Sequence, residues 1–134
     1  VATVRVSIDL LGEEKLLNLL AKGGPAAAQA TARAIYEEAQ IIFAESQRLV
    51  PVRTGALRAS GQVLPPKVSG SDIEVEMGYG GAAAPYATYV HERLDTSHDS
   101  PTQAKFLEQP VVEGARDIAS RIADRVDAAM RGLA

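Results

Sequence analysis

One helical stripe constrains the fold more than any other feature of the chain. Between Ala26 and Val50, the residues Ala28, Ala32, Ile35, Ala39, Ile42 and Leu49 recur at helical spacing, while Arg33, Glu37, Gln40 and Arg48 fall on other faces. At ~1.5 Å per residue such a helix spans most of a small domain, so the other elements have to pack along it. Both of its ends are marked. Gly23, Gly24 and Pro25 stop what precedes it and place a proline in the first turn, where a missing N–H is harmless. Pro51 stops the helix by disfavouring helical geometry in Val50.

Elements of other periods flank the helix. Thr3 to Leu10 alternates, with Val4, Val6, Ile8 and Leu10 on one face and Thr3, Arg5, Ser7 and Asp9 on the other, the period of a half-buried strand. Leu16, Leu17, Leu19 and Leu20 fit a short helix from Glu13 to Lys22. Beyond Pro51, Leu57 to Leu64 suits a strand weakened by Gly61. A second strand follows, in which Ile73, Val75, Met77 and Tyr79 alternate with Asp72, Glu74, Glu76 and Gly78. Gly70, Ser71 and Asp72 supply the turn between them. Tyr86 to Glu92 fits one or two helical turns, and Arg93 to Thr102 is a polar loop. The terminal element runs from Pro110 to Leu133, with a stripe of Val112, Ala115, Ala119, Ile122, Val126, Ala129 and Leu133. Asp117 with Arg121 and Asp127 with Arg131 form i,i+4 pairs on its wet side. With no repeat or linker in view, residues 1–134 read as one α+β domain ending in an amphipathic helix.

Composition narrows the function classes. Charged residues make up 23% of the chain and hydrophobic residues 46%, near the averages for globular domains, but aromatics reach only 4% and Trp is absent. Alanine favours helix yet buries little area, which predicts that part of the stability comes from packing against other subunits. With 14 Lys+Arg against 17 Asp+Glu, the net charge of −3 gives no overall basic field for nucleic acid. The absence of cysteine removes disulfides, thiolate catalysis and Cys-ligated zinc. Apolar runs are too short for a membrane span, and the first residues lack a basic segment followed by an apolar one, so a soluble chain not exported by the ordinary route is expected.

Chemistry-bearing patterns are few. His91 with Glu92 and His98 with Asp99 invite a metal-dependent hydrolase, but HExxH spacing fails because Asp95 stands where the second histidine should be. There is no GxSxG elbow, and Gly78 to Gly81 forms a turn-like GYGG, not a phosphate loop. Arg48, Arg53 and Arg58 gather around Thr54 and Gly55, either as a basic loop for DNA or an acidic partner or as a solvated turn. A DNA-binding module built on Arg53 and Arg58 would attract phosphates without reading sequence. Tyr86 and Tyr89 are either core or an exposed aromatic contact.

Three segments taken in order resemble the small neck, or tail-completion, proteins of long-tailed bacteriophages, often described as minor tail components. The first is PxxTGxLRxS, met by Pro51, Thr54, Gly55, Leu57, Arg58 and Ser60. The second is YAxYVHE, met by Tyr86, Ala87, Tyr89, Val90, His91 and Glu92. The third is KFLExP, met by Lys105, Phe106, Leu107, Glu108 and Pro110. Relatives often carry a glycine soon after the second segment, where Arg93, Leu94 and Asp95 stand here. The resemblance implies a small antiparallel sheet packed on a long α-helix. It also implies a homo-oligomeric ring, a hexamer, in the virion at the head-tail junction, assembled in the host cytoplasm. That ring would complete the tail end and join it to the head connector, with neither cofactor nor catalysis and with DNA passing through the lumen unread. A tail terminator that stops tube growth is the alternative within the same class. The contact residues expected on this basis are Arg53, Thr54, Gly55, Leu57, Arg58, Tyr86, Tyr89, His91, Glu92, Lys105 and Phe106.

Overall fold

The computed structural model describes residues 3–9, 14–51, 55–69, 72–80, 91 and 105–132. Its axis is helix α1 (Glu14–Leu49), which is two helices joined at a kink, because Gly24 has φ 59 and ψ −143. Only glycine adopts that geometry readily, and Pro25 then opens the longer piece, as the Gly-Gly-Pro run predicts. The chain continues through β1 (Thr3–Asp9), which precedes α1, and then α2 (Ala56–Ala59), β2 (Gln62–Val63), β3 (Lys67–Ser69), β4 (Asp72–Gly80), α3 (Glu108–Gly114) and α4 (Ile118–Gly132). This is the α+β arrangement expected, with a small antiparallel sheet against the long helix and a helix at the C-terminal end.

Strand β4 is the centre of the sheet and is antiparallel to every neighbour. On one side β1 runs along it without interruption, from Thr3 opposite Gly80 to Asp9 opposite Glu74. On the other side β2 and β3 are two halves of one edge. Val63 lies opposite Met77 and Lys67 opposite Glu74, so four steps on the edge match three on β4. The extra residue falls at Leu64–Pro65–Pro66, where the prolines have no N–H to offer and only the Leu64 N–H reaches the Glu76 carbonyl, at 2.8 Å.

The core lies between this sheet and the helices. Ile73, Val75, Met77 and Tyr79 of β4 are each at most 1% exposed, and they meet Ile35, Ala39, Ile42 and Phe43 of α1 with Ile118, Ile122 and Val126 of α4. The buried face of α1 differs in part from the predicted stripe. Ala28 and Ala32 are half-buried, whereas Ala27, Thr31, Ala34, Glu38 and Ser46 are buried.

Two expectations need correction. Leu57 to Leu64 is not one strand: Gly55 turns the chain into the short helix α2, and only Gln62 and Val63 then pair with β4. The terminal helix is also not continuous. Ala115 to Asp117 interrupt it, Asp117 has φ 58, and the face rotates so that Val112, Ala115 and Ala129 are exposed while Pro110, Ile118, Ile122, Ala123 and Val126 are buried. Arg131 pairs with Asp127 as expected, but Arg121 turns to Glu38 instead of Asp117. Apart from His91, the segments Tyr86 to Glu92 and Arg93 to Thr102 lie outside the described residues. Among the described residues no helix is long and apolar enough to cross a membrane.

Candidate functional site

The turn after α1 is the most distinctive part of the sequence, and its side chains act as a staple. Gly55 is left-handed at φ 79, and Leu57 enters the core at 3% exposure. Arg58 Nη2 donates to the Val50 carbonyl at 3.4 Å, and the Arg58 carbonyl accepts from Gln47 Nε2 at 3.3 Å. Ser60 Oγ donates to the Leu57 carbonyl at 2.6 Å and accepts from the Gly80 N–H at 3.0 Å. The end of α1 is thereby tied to the end of β4. The predicted basic cluster is not a shared patch among the described residues. The Arg48 guanidinium lies 2.6 Å from Glu45, whose carboxyl it holds below its ordinary range by hydrogen bonding, and Arg58 is directed inward with its Nε buried and unpartnered. Arg53 and Thr54 lie outside the described residues.

Next to the staple runs a line of rings. Phe43 stacks on Tyr79 with centroids 5.1 Å apart, Tyr79 meets Phe106 edge-on at 5.1 Å, and Phe106 meets His91 edge-on at 4.9 Å. Gly61 allows the close approach, since a Cβ there would fall 2.7 Å from both Phe43 Cζ and Tyr79 Cε1. Ser46 Oγ lies 2.8 Å from Tyr79 Oη. Burial pushes the Tyr79 phenol up to about 12, against the opposing pull of the Ser46 hydrogen bond and the Arg58 charge.

His91 closes the line and is 4% exposed. Its Nε2 accepts from the Glu108 N–H at 3.2 Å, and its carbonyl accepts from the Lys105 N–H at 2.7 Å. Glu108 opens α3, whose N-cap Leu107 supplies no side-chain bond, so the imidazole satisfies one of the free N–H groups at that helix start. While Nε2 accepts this bond it is not a free metal ligand. Lys105, at φ 56, lies 3.3 Å from Glu108, and Phe106 is fully buried. Of the expected contact residues, therefore, Leu57, His91 and Phe106 are interior, Gly55, Arg58 and Lys105 are half-buried, and Tyr86, Tyr89 and Glu92 lie outside the described residues, as does His98. Among the described residues no group of three His, Asp or Glu is placed to hold a metal ion.

Sequence reasoning missed a second polar cluster. Glu38 is 3% exposed on α1 and receives Arg121 Nε at 2.5 Å and Arg125 Nε at 2.9 Å, while Arg125 also reaches Glu37 at 2.5 Å. Arg121 further donates to the Gly114 and Arg116 carbonyls at 2.7 and 3.0 Å, so one guanidinium holds the α3–α4 break and α1 together. The available signal was an acid on the buried face of one helix with two arginines four residues apart on another. Beside this cluster, α1 and α4 leave an open groove of ≈ 680 Å³, half of whose lining residues are alanines such as Ala30, Ala34 and Ala129, with Arg33, Glu37 and Arg125 among the rest. Ile41, Val68 and Val112 are the large apolar side chains left exposed among the described residues. No family model, curated protein or solved structure matches the chain.

Proposed function

We propose that this chain is a structural virion protein of a long-tailed bacteriophage, a neck or tail-completion subunit. It forms a homo-oligomeric ring at the head-tail junction, completes the tail end and enables joining to the head. The supporting observation is proximity: the third segment meets His91 of the second on the line of rings, and the first is fastened beside Tyr79 of that line through Ser60 and the Gly80 N–H. The TGxLRxS turn ties α1 to β4 through Arg58 and Ser60. Lys105 and Glu108 bond to His91 of the second segment, and Phe106 bridges His91 to Tyr79. Residues of the second and third segments that stand apart in the sequence are therefore partners in space, as expected of parts of one subunit.

On this reading the chain works mechanically, without cofactor or catalysis. A repeated heterologous interface in a closed hexamer supplies burial that an alanine-rich subunit lacks. Head-connector and tail rings are its neighbours. DNA passes through the lumen without sequence readout, and the net charge of −3 on each subunit limits adhesion. The protein is assembled in the host cytoplasm and ends in the virion.

Deleting the gene from the phage genome that carries it and imaging the lysate by negative-stain electron microscopy tests this. Filled heads beside separate tails of normal length are expected. Tails of uncontrolled length would point to a terminator ring, and normally joined particles would overturn the virion reading altogether.

A further inference from the structure

Lys105 sits in a backbone conformation that favours glycine. Its φ of 56 is left-handed, a region that a residue with a Cβ enters at a cost and keeps only when its surroundings hold it there. His91 supplies part of that hold. The Lys105 N–H donates to the His91 carbonyl at 2.7 Å, the Phe106 ring packs edge-on against the imidazole at 4.9 Å, and the Glu108 N–H donates to His91 Nε2 at 3.2 Å. One histidine, 4% exposed, thus clasps the segment where the chain enters α3.

The Nε2 bond carries a condition that the other two contacts do not. A neutral imidazole keeps one nitrogen as an acceptor, whereas a charged one carries hydrogen on both. A proton on Nε2 faces the Glu108 N–H donor to donor, and the bond is lost. The N-cap residue Leu107 offers no side-chain bond in exchange, and a buried donor without a partner is unfavourable. Of the charged and titratable groups that the described elements bring to this place, Lys105 and Glu108 pair with each other at 3.3 Å. Tyr79, on the far side of Phe106, stays neutral in acid because burial pushes its phenol up to about 12. Parting from His91 also frees Lys105 from its left-handed conformation, so the lost bond and the strain push the same way.

We propose that His91 is an acid-released latch: neutral, it holds residues 105–108 against the ring line, and charged, it lets them go. The latch belongs to the subunit's own fold and does not rest on the neck reading. Amide exchange in the full chain tests it, with nitrogen NMR of the imidazole reporting the charge on His91 in the same samples. The pH is lowered from about 8 to about 5, the range in which histidine side chains change charge. The Glu108 rate relative to that of Val75 in β4 should rise about tenfold, the scale of one hydrogen bond to a buried group, and should follow the His91 titration. His91→Gln should flatten the response, because its side-chain carbonyl accepts the same N–H and does not titrate. His98→Gln, and Glu108→Gln with its backbone N–H kept, should leave the rise intact. The wild-type comparison stands even if the His91→Gln chain does not fold. A His91 that stays neutral over this range, a Glu108 rate that ignores its charge, an equal rise at Val75, a rise that survives His91→Gln, or one lost with Glu108→Gln or His98→Gln would each overturn the proposal.

Discussion

The Tyr79 hydroxyl sits in a pocket that favours its neutral form. The side chain is 1% exposed, touches Phe43 and Phe106, and finds Ser46 Oγ at 2.8 Å. Burial moves its phenol from the ordinary value of 10.0 to about 12. An acid whose pKa rises on folding contributes stability that is fully present below its unfolded value and is lost as pH climbs through the folded one. Between pH 10 and 12, wild-type stability should therefore fall more steeply than that of Tyr79→Phe, by up to about 3 kcal/mol at the alkaline end at ~1.4 kcal/mol per unit. At neutral pH the same variant should cost about 1 kcal/mol, because the Ser46 hydroxyl loses its partner. Thermal midpoints of the two proteins across that range provide the check, and parallel curves would remove the phenol as the cause. The serine also shows why the helix face was only partly readable. Thr31, Glu38 and Ser46 look like solvent-facing residues by type, yet each is buried with a partner: the Ala27 carbonyl at 2.8 Å, the two arginines, and Tyr79. Those partners lie up to 87 residues away, so local periodicity carries no trace of most of them. Alanine adds to the ambiguity, since its small side chain is tolerated on either face.

Between elements, the hold of α4 on α1 depends on Glu38. Its two guanidinium partners keep side-chain exposures of 43% and 37%, so they can rehydrate partly if the carboxylate is lost. Glu38→Gln preserves shape and removes the charge. The expected loss is about 1–2 kcal/mol, below the ~3–5 kcal/mol typical when a fully buried pair is broken. Urea denaturation should show a lower midpoint at an unchanged slope, and an unmoved midpoint would mean that the cluster fixes geometry without adding stability. The same cluster explains why the break in the terminal helix was invisible. The stripe from Val112 to Leu133 is continuous in sequence, and nothing local demands Asp117 at φ 58. What demands it is tertiary. Gly114 lies so close to Ile42 that a Cβ would fall 2.6 Å from Ile42 Cγ1, and Arg121 gathers the freed Gly114 and Arg116 carbonyls. The break at Gly24 was legible for the opposite reason, because glycine and proline impose it from within.

For the whole molecule, scarcity of large side chains concentrates risk in a few positions. The chain holds only two phenylalanines, and both lie on the ring line that joins α1, β4, His91 and the segment entering α3. Phe106 is fully buried between Tyr79 and His91, and removing its ring opens a cavity in a close-packed interior. Phe106→Ala should cost about 3–5 kcal/mol, a large share of the ~5–15 kcal/mol that holds an ordinary domain together. Phe106→Leu, which keeps most of the volume, should cost less than about 1.5 kcal/mol. Val112→Ala, at a side chain 57% exposed, should stay within about 0.5 kcal/mol. Size of effect alone would not separate a ring that links segments from one that merely fills space, but hydrogen exchange at one amide does. The Glu108 N–H is held by His91 Nε2, and His91 is held against Phe106. If the ring line joins the segments, Phe106→Ala should speed exchange at Glu108 well beyond the change at β4 amides such as Val75, while Phe106→Leu should leave the ratio near wild type. Equal acceleration at both amides would mean that the domain opens as one unit and that Phe106 contributes volume only.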